Sequence, residues 1–357
     1  MMVTKENSRV NAVNIVFLVS MVISVAVGFL PLGFLQERPA LQLIFSQVIL
    51  VFPSVIYMLM YKLPYAETVR FRKMKLADIA WSVLFGILIQ PLLTLLNALS
   101  MVVSTNTTSM FMMELSEQVS FLPALVLMAV VPCILEETVY RGVFYNEYSK
   151  INPWKAARLS GFLFGLMHGN INQFCYAAVM GVLFALLIEA TGSILSTMLI
   201  HFWINAGSVT LMYLYPKLYE IMKSFYNMYV EYDNKEMAEM IELAFGDMTL
   251  SSSEWMQNML VSSANLDLSL ADVLILYAPQ ALVMGVLAFF VYKKLATRNG
   301  NWERICGFFA KTTVAKEEET LNLEVVPKQK MVTLPLIFAI LIGVAFMIFY
   351  EIAIRMA

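Results

Sequence analysis

Charge and histidine are scarce in this chain. Of its 357 residues 14% are charged and two are His, while 60% are apolar and the mean hydropathy is +0.72. A soluble domain of this size is nearer half apolar and about a quarter charged. The formal net charge of −2 leaves no basic surface of the kind that binds nucleic acid. Cysteine is equally thin: Cys133, Cys175 and Cys306 are odd in number, scattered, and mostly set in apolar runs. They make neither a disulfide framework nor a CxxC metal site, and read as small buried hydrophobes. There is no Gly-rich phosphate loop and no Ser-His-Asp or Cys-His arrangement. No internal repeat is visible, which weighs against a secondary transporter.

What is present is a succession of apolar runs about 20 residues long, the length that crosses roughly 30 Å of hydrocarbon. They predict an all-α, polytopic membrane helix bundle with eight or nine spans: 12–35, 42–62, 77–103, 121–145, 157–171, 173–190, 193–215, 270–292 and 332–355. The fifth and sixth are short or interrupted. The first follows Lys5 and Arg9 and is too long for a signal-peptide core, so it reads as a retained span. With nine spans, the clusters at Arg70–Lys75, Arg141–Arg158 and Lys293–Lys311 all fall on the side of Lys5 and Arg9. The positive-inside rule makes that side cytoplasmic, with the C-terminus outside a cell membrane. The loop 104–120 on the other side has no Lys or Arg.

The chain accordingly divides into N-terminal spanning helices (1–120), a core (121–215), an acidic external insertion (216–270) and C-terminal spans with a cytoplasmic loop (271–357). The insertion holds nine Asp or Glu against three Lys. Its Met222, Phe225, Tyr226 and Tyr229 suggest an amphipathic helix lying on the interface. The charge run at Lys316–Glu319 reads as a solvated linker.

Ionisable residues inside spans cost about 2.5–3.5 kcal/mol each on insertion scales and so mark function. Three lie together in the fourth run: Glu136, Glu137 and Arg141. Glu137 and Arg141 are four apart and share a helix face, an oriented ion pair. Glu136 points about 100° away, free to face a cavity. Both histidines also lie in spans. His168 ends Phe164-Gly-Leu-Met-His168, and His201 stands one turn before Asn205. At 1.5 Å per residue, Glu136, His168 and His201 all come out about 12–15 Å from the cytoplasmic edge.

One shared site at that depth admits two chemistries. Glu136, His168 and His201 would hold a zinc ion with an open position, which lowers the pKa of bound water. Without metal, Glu136 would act as general base on water, His168 would orient it, and His201 with Asn205 would stabilise the oxyanion.

The ordered motifs Glu136-Glu137-x-x-x-Arg141, Phe164-x-x-x-His168 and His201-x-x-x-Asn205 resemble those of the CAAX-protease and bacteriocin-processing family. It is also called the abortive-infection or type II CAAX prenyl endopeptidase family. The resemblance covers roughly 121–210 and extends to the connection ending Ala190-Thr-Gly-Ser193. It implies an intramembrane endopeptidase acting on a membrane peptide or protein, with a cavity opening to the cytoplasm. It carries catalytic roles for Glu136, His168, His201 and Asn205, and supporting ones for Glu137, Arg141 and Phe164. The alternatives are a non-catalytic immunity or scaffold protein and, further off, a proton-coupled transporter.

Overall fold

The apolar runs become helices because lipid offers backbone amides no partner, so each crossing segment must satisfy its own. The computed structural model describes residues 2–30, 33, 37–264, 269–308 and 330–356. Lys311 and the run 316–319 lie outside them. Among the described residues there is no strand, and eight helices are long and apolar enough to span. They are α1 (Met2–Phe29, apolar from Arg9), α2 (Pro39–Met60), α3 (Leu76–Met101) and, after the short α4 (Thr107–Gln118), α5 (Phe121–Ser149). Beyond the shorter α6 (Pro153–Leu166) come α7 (Ile171–Thr191) and α8 (Leu195–Glu231). Then follow α9 (Lys235–Phe245), α10 (Ser252–Ala264), α11 (Leu270–Arg298), the one-and-a-half-turn α12 (Trp302–Gly307) and α13 (Leu334–Met356). The molecule is an all-α, multi-pass membrane bundle.

The predicted fifth span does not reach full length. α6 has 14 residues, about 21 Å, short of a hydrocarbon core of roughly 30 Å. It nevertheless makes the same excursion, because α6 and α7 form a close antiparallel pair. Gly161 and Gly165 sit a turn apart on α6. A Cβ on Gly161 would lie 2.7 Å from the Ala178 carbonyl, and one on Gly181 would lie 2.6 Å from the Gly161 Cα. Small residues at this spacing let helix backbones touch, as they do in membrane helix pairs generally.

The two ends of the bundle are distinguishable by their polar contacts. At one end Glu189, closing α7, meets Arg70, Arg304 and the Tyr145 hydroxyl. Asp78 at the start of α3 meets Arg298 at the end of α11 there, 3.1 Å apart. The basic clusters after α2, α5 and α11 thus gather at one end. At the opposite end Glu351, near the close of α13, accepts from the Thr105 amide beyond α3. α1 runs alongside α13 in the same direction: Asn14 donates to Thr333, and Phe29 packs on Phe346 and Phe349.

The seventh span does not stop at 215. α8 continues through Pro216 to Glu231, 37 residues or about 55 Å, so the expected interfacial helix is the extension of a spanning one. Met222, Tyr226 and Tyr229 pack around Tyr219, Ile241 and Met248 in a separate small core with Trp255. The Tyr219 hydroxyl donates to the carbonyls of Asp247 and Leu250 and ties α9 and α10 to α8.

Gly161→Leu should cost about 1–3 kcal/mol, the range for overpacking a tight core. Gly207→Ala, where nothing lies within 4 Å of the new Cβ, should leave stability unchanged. Thermal melting of the two purified variants in detergent is the check.

Candidate active site

The polar residues at membrane depth are placed by four helices. α5 is not a regular α-helix. Val126–Val130 and Thr138–Tyr145 are π-helical turns on either side of Val131–Glu137. Each π turn carries an extra residue, and such bulges concentrate at functional sites. Here they bracket the adjacent glutamates and set the angle at which the two carboxylates leave the helix.

Glu137 has no solvent exposure and stands 3.2 Å from Arg141, itself buried. This contact is an ion pair without an aligned hydrogen bond, since no guanidinium nitrogen has a hydrogen-bond partner among the described residues. The charge instead lies over the rings of Phe164 at 4.4 Å and Phe184 at 5.2 Å, contacts worth up to about 2 kcal/mol when desolvated. The predicted pair is therefore formed, with Phe164 from α6 beneath it. Glu137 also does something the spacing did not announce: its Oε1 lies 3.0 Å from His201 Nδ1 on α8. It fixes the imidazole as well as the arginine.

Glu136 has a different setting. Its side chain is 14% exposed, Oε2 is 3.8 Å from His201 Nε2, and Oε1 accepts a 2.9 Å hydrogen bond from Gln47 Nε2 on α2. Gln47 is a site residue that the motifs missed. Its only sequence signal is a carboxamide inside an otherwise apolar span.

His168 lies just past the end of α6 and is half-buried. Its Nδ1 is 2.8 Å from the Phe164 carbonyl, which leaves Nε2 for other work. The Phe164 ring packs edge-on to both imidazoles, with centroids 5.0 Å from His168 and 6.0 Å from His201. Asn205, a turn beyond His201, donates from Nδ2 to the Met128 carbonyl at 3.0 Å, and Met128 lies in the first π turn. Glu136, Glu137, His201, Arg141 and Phe164 thus meet directly. His168 joins through Phe164, and Asn205 is anchored to α5 beside them.

The donor set can be compared with what a metal ion would need. Among the described residues no three His, Cys, Asp or Glu side chains group as metal ligands.

A cavity borders the site on the side away from the basic end. A cavity of about 380 Å³ beside Asn205 is lined by Ser208, Met212 and Tyr215, successive positions toward the opposite end, and by Asn106 and Thr108 of the loop there. At the basic end Glu189 meets Arg70 and Arg304, and Val69, Ile188, Ile194 and Met198 pack together.

Glu137→Ala should strand Arg141 and cost about 3–5 kcal/mol, the range for breaking a buried pair. Glu136→Ala should leave folding near wild type. Folded yield on size-exclusion chromatography separates them.

Comparison with curated proteins and with solved structures gave no match. Residues 118–207 match the family model for Type II CAAX prenyl endopeptidase Rce1-like, a stretch that contains Glu136, Glu137, Arg141, Phe164, His168, His201 and Asn205. The match takes in about a quarter of the chain, and over that stretch the chain is similar to the Rce1-like type II CAAX prenyl endopeptidases.

Proposed function

We propose that the protein hydrolyses a peptide bond of a membrane-associated peptide or protein, with Glu136 as general base. The observation that carries this is the contrast between neighbours: Glu137 is consumed by Arg141 and His201, while Glu136 keeps exposed surface beside the same histidine.

In the reaction, Glu136 takes a proton from water as the water oxygen adds to the scissile carbonyl carbon. Gln47 holds the carboxylate by its other oxygen, which leaves Oε2 to face the water. His168, with Nδ1 tied to the Phe164 carbonyl, presents Nε2 as a second anchor for that water. Negative charge builds on the former carbonyl oxygen. Asn205 has one Nδ2 hydrogen not committed to Met128, and His201 has Nε2 directed toward Glu136. These two are suited to receive the oxyanion, His201 in its protonated form. In that form Glu136, Glu137, Arg141 and His201 sum to zero charge, which favours the cluster in a medium of low dielectric constant. Glu136 then returns its proton to the departing amine. No step in this scheme is routed through a metal. Preorganised donors of this type contribute roughly 10²–10³ in rate, and a positioned general base about 10²–10⁴.

Proteomic comparison of membranes carrying wild-type or Glu136→Gln protein should reveal peptides cut only by the wild type. With such a peptide, Glu136→Gln should lower kcat by about 10²–10⁴ without loss of folded protein. Gln47→Ala should lower kcat with KM nearly unchanged, because it loosens the base and not the substrate. Chelation with EDTA should leave the rate unaltered. Wild-type cleavage by Glu136→Gln would sink the assignment.

A further inference from the structure

The cavity that reaches Asn205 has a composition unusual for membrane depth. It contains no charged residue, yet its wall carries Gln90, Asn97, Asn172 and Asn205 with the hydroxyls of Thr108 and Ser208. The space between α3, α7, α11 and α12 differs: it is lined by Phe85, Leu183, Phe289 and Trp302 among others, with no carboxamide.

The carboxamides are only partly used. Asn172 donates to Asn97 and to Ser100, and Asn205 donates to Met128, so in both the Oδ1 acceptor is left over. Gln90 makes no hydrogen bond among the described residues. A guest that leaves such buried groups unpaired loses their hydrogen bonds to water without replacement. A charged guest would be desolvated with no counter-charge in the wall. What fits is alternating donors and acceptors without charge, which is the backbone of an extended peptide with small or neutral polar side chains.

The roof of the cavity comes from the insertion. Met256 and Met259 of α10 line it, and Met256 is 3% exposed. α10 is fastened to α8 by stacking of Trp255 on Tyr219 at 4.8 Å. Methionine side chains are flexible and adapt to varied surfaces, so the roof excludes bulk without imposing one shape.

We infer that this cavity is the binding channel for an extended, uncharged segment of the substrate, which enters from the end of the bundle opposite the basic clusters under the roof formed by α10. The inference rests on the hydrolase reading for the identity of its guest, but its test does not need cleavage.

The test uses full-length protein in proteoliposomes with Cys175 and Cys306 replaced by Ser, in both wild-type and Glu136→Gln backgrounds. Ser208→Cys is labelled with a membrane-impermeant maleimide, with Asp233→Cys marking the insertion face and lipid-facing Leu282→Cys as control. Ser208→Cys should react from the Asp233 face at least about tenfold faster than Leu282→Cys. A capped neutral octapeptide of Ser, Asn and Ala should slow that labelling by about tenfold, a peptide of equal length with Glu and Lys should not, and Met256→Trp should slow it without peptide. Labelling only from the basic end, or equal protection by both peptides, overturns the inference. Protection as expected in protein that cuts nothing would instead sink the hydrolase reading and leave the channel standing.

Discussion

The bundle is organised around a full charge pair that lipid cannot solvate. Moving a carboxylate and a guanidinium out of water costs several kcal/mol each even after relaxation. Glu137 and Arg141 bear that cost with almost no exposure. The repayment comes from several helices at once: the aromatic faces of Phe164 on α6 and Phe184 on α7, and the imidazole of His201 on α8. Four helices must be in register for the pair to be tolerable. The close glycine contacts of α6 on α7 serve that same register, because Phe164 lies between Gly161 and Gly165 on the packed segment. A bundle held mainly by lipid-facing Leu, Ile and Phe has many nearly equal packings; a buried ion pair with ring partners has few.

The same constraint produces chemical difference from sequence identity. Glu136 and Glu137 are consecutive and of one residue type, yet one is spent on holding the bundle and the other keeps surface. Environment assigns distinct roles to paired carboxylates in hydrolases of other folds as well. Here the divergence arises from helix geometry, since consecutive side chains leave an α-helix about 100° apart. The π turns on both sides keep Val131–Glu137 as a short regular segment between two distorted ones. The His201 imidazole links both carboxylates, with Nδ1 toward Glu137 and Nε2 toward Glu136, so any shift in the structural pair is felt at the proposed base.

Much of this was legible in residue spacing because helical spacing is geometry. The i, i+4 pair of Glu137 and Arg141, the shared face of His201 and Asn205, and the gathering of basic clusters at one end all follow from periods of 3.6 and from the cost of charge in lipid. The features that were not legible depend on partners distant in sequence. Gln47 is one carboxamide in an apolar run, and only the approach of α2 to α5 gives it meaning. A zinc reading follows naturally from a Glu and two His, but convergence of three donors on one point is a property of packing that spacing along the chain does not fix. Past residue 215 the composition turns acidic, and nothing local signals that the helix of span seven continues through Pro216. In the fold α8 continues, since Tyr219 and Trp255 stack and α9 and α10 cover the extension. The short fifth span was likewise suggested by its interruption, while the reason it folds back at once is the backbone contact of Gly161 with Ala178.

The direction of access follows from which end of the bundle is polar in charge and which in amides. At the basic end Glu189 is bound by Arg70, Arg304 and Tyr145, and Arg298 is bound by Asp78. Those charges satisfy one another. At the other end the polar groups are carboxamides and hydroxyls with spare capacity, arranged along α3, α7 and α8 toward Asn205. A site for hydrolysis needs water and an extended chain to reach the same carboxylate, and neither crosses a closed ion-pair network readily. Neutral amides admit both, because each bond they give up to a guest replaces one to water. The insertion therefore sits where its packing against α8 bears on entry as well as on stability, and α8 carries His201, Asn205, the cavity wall and the anchor of the roof on one continuous helix.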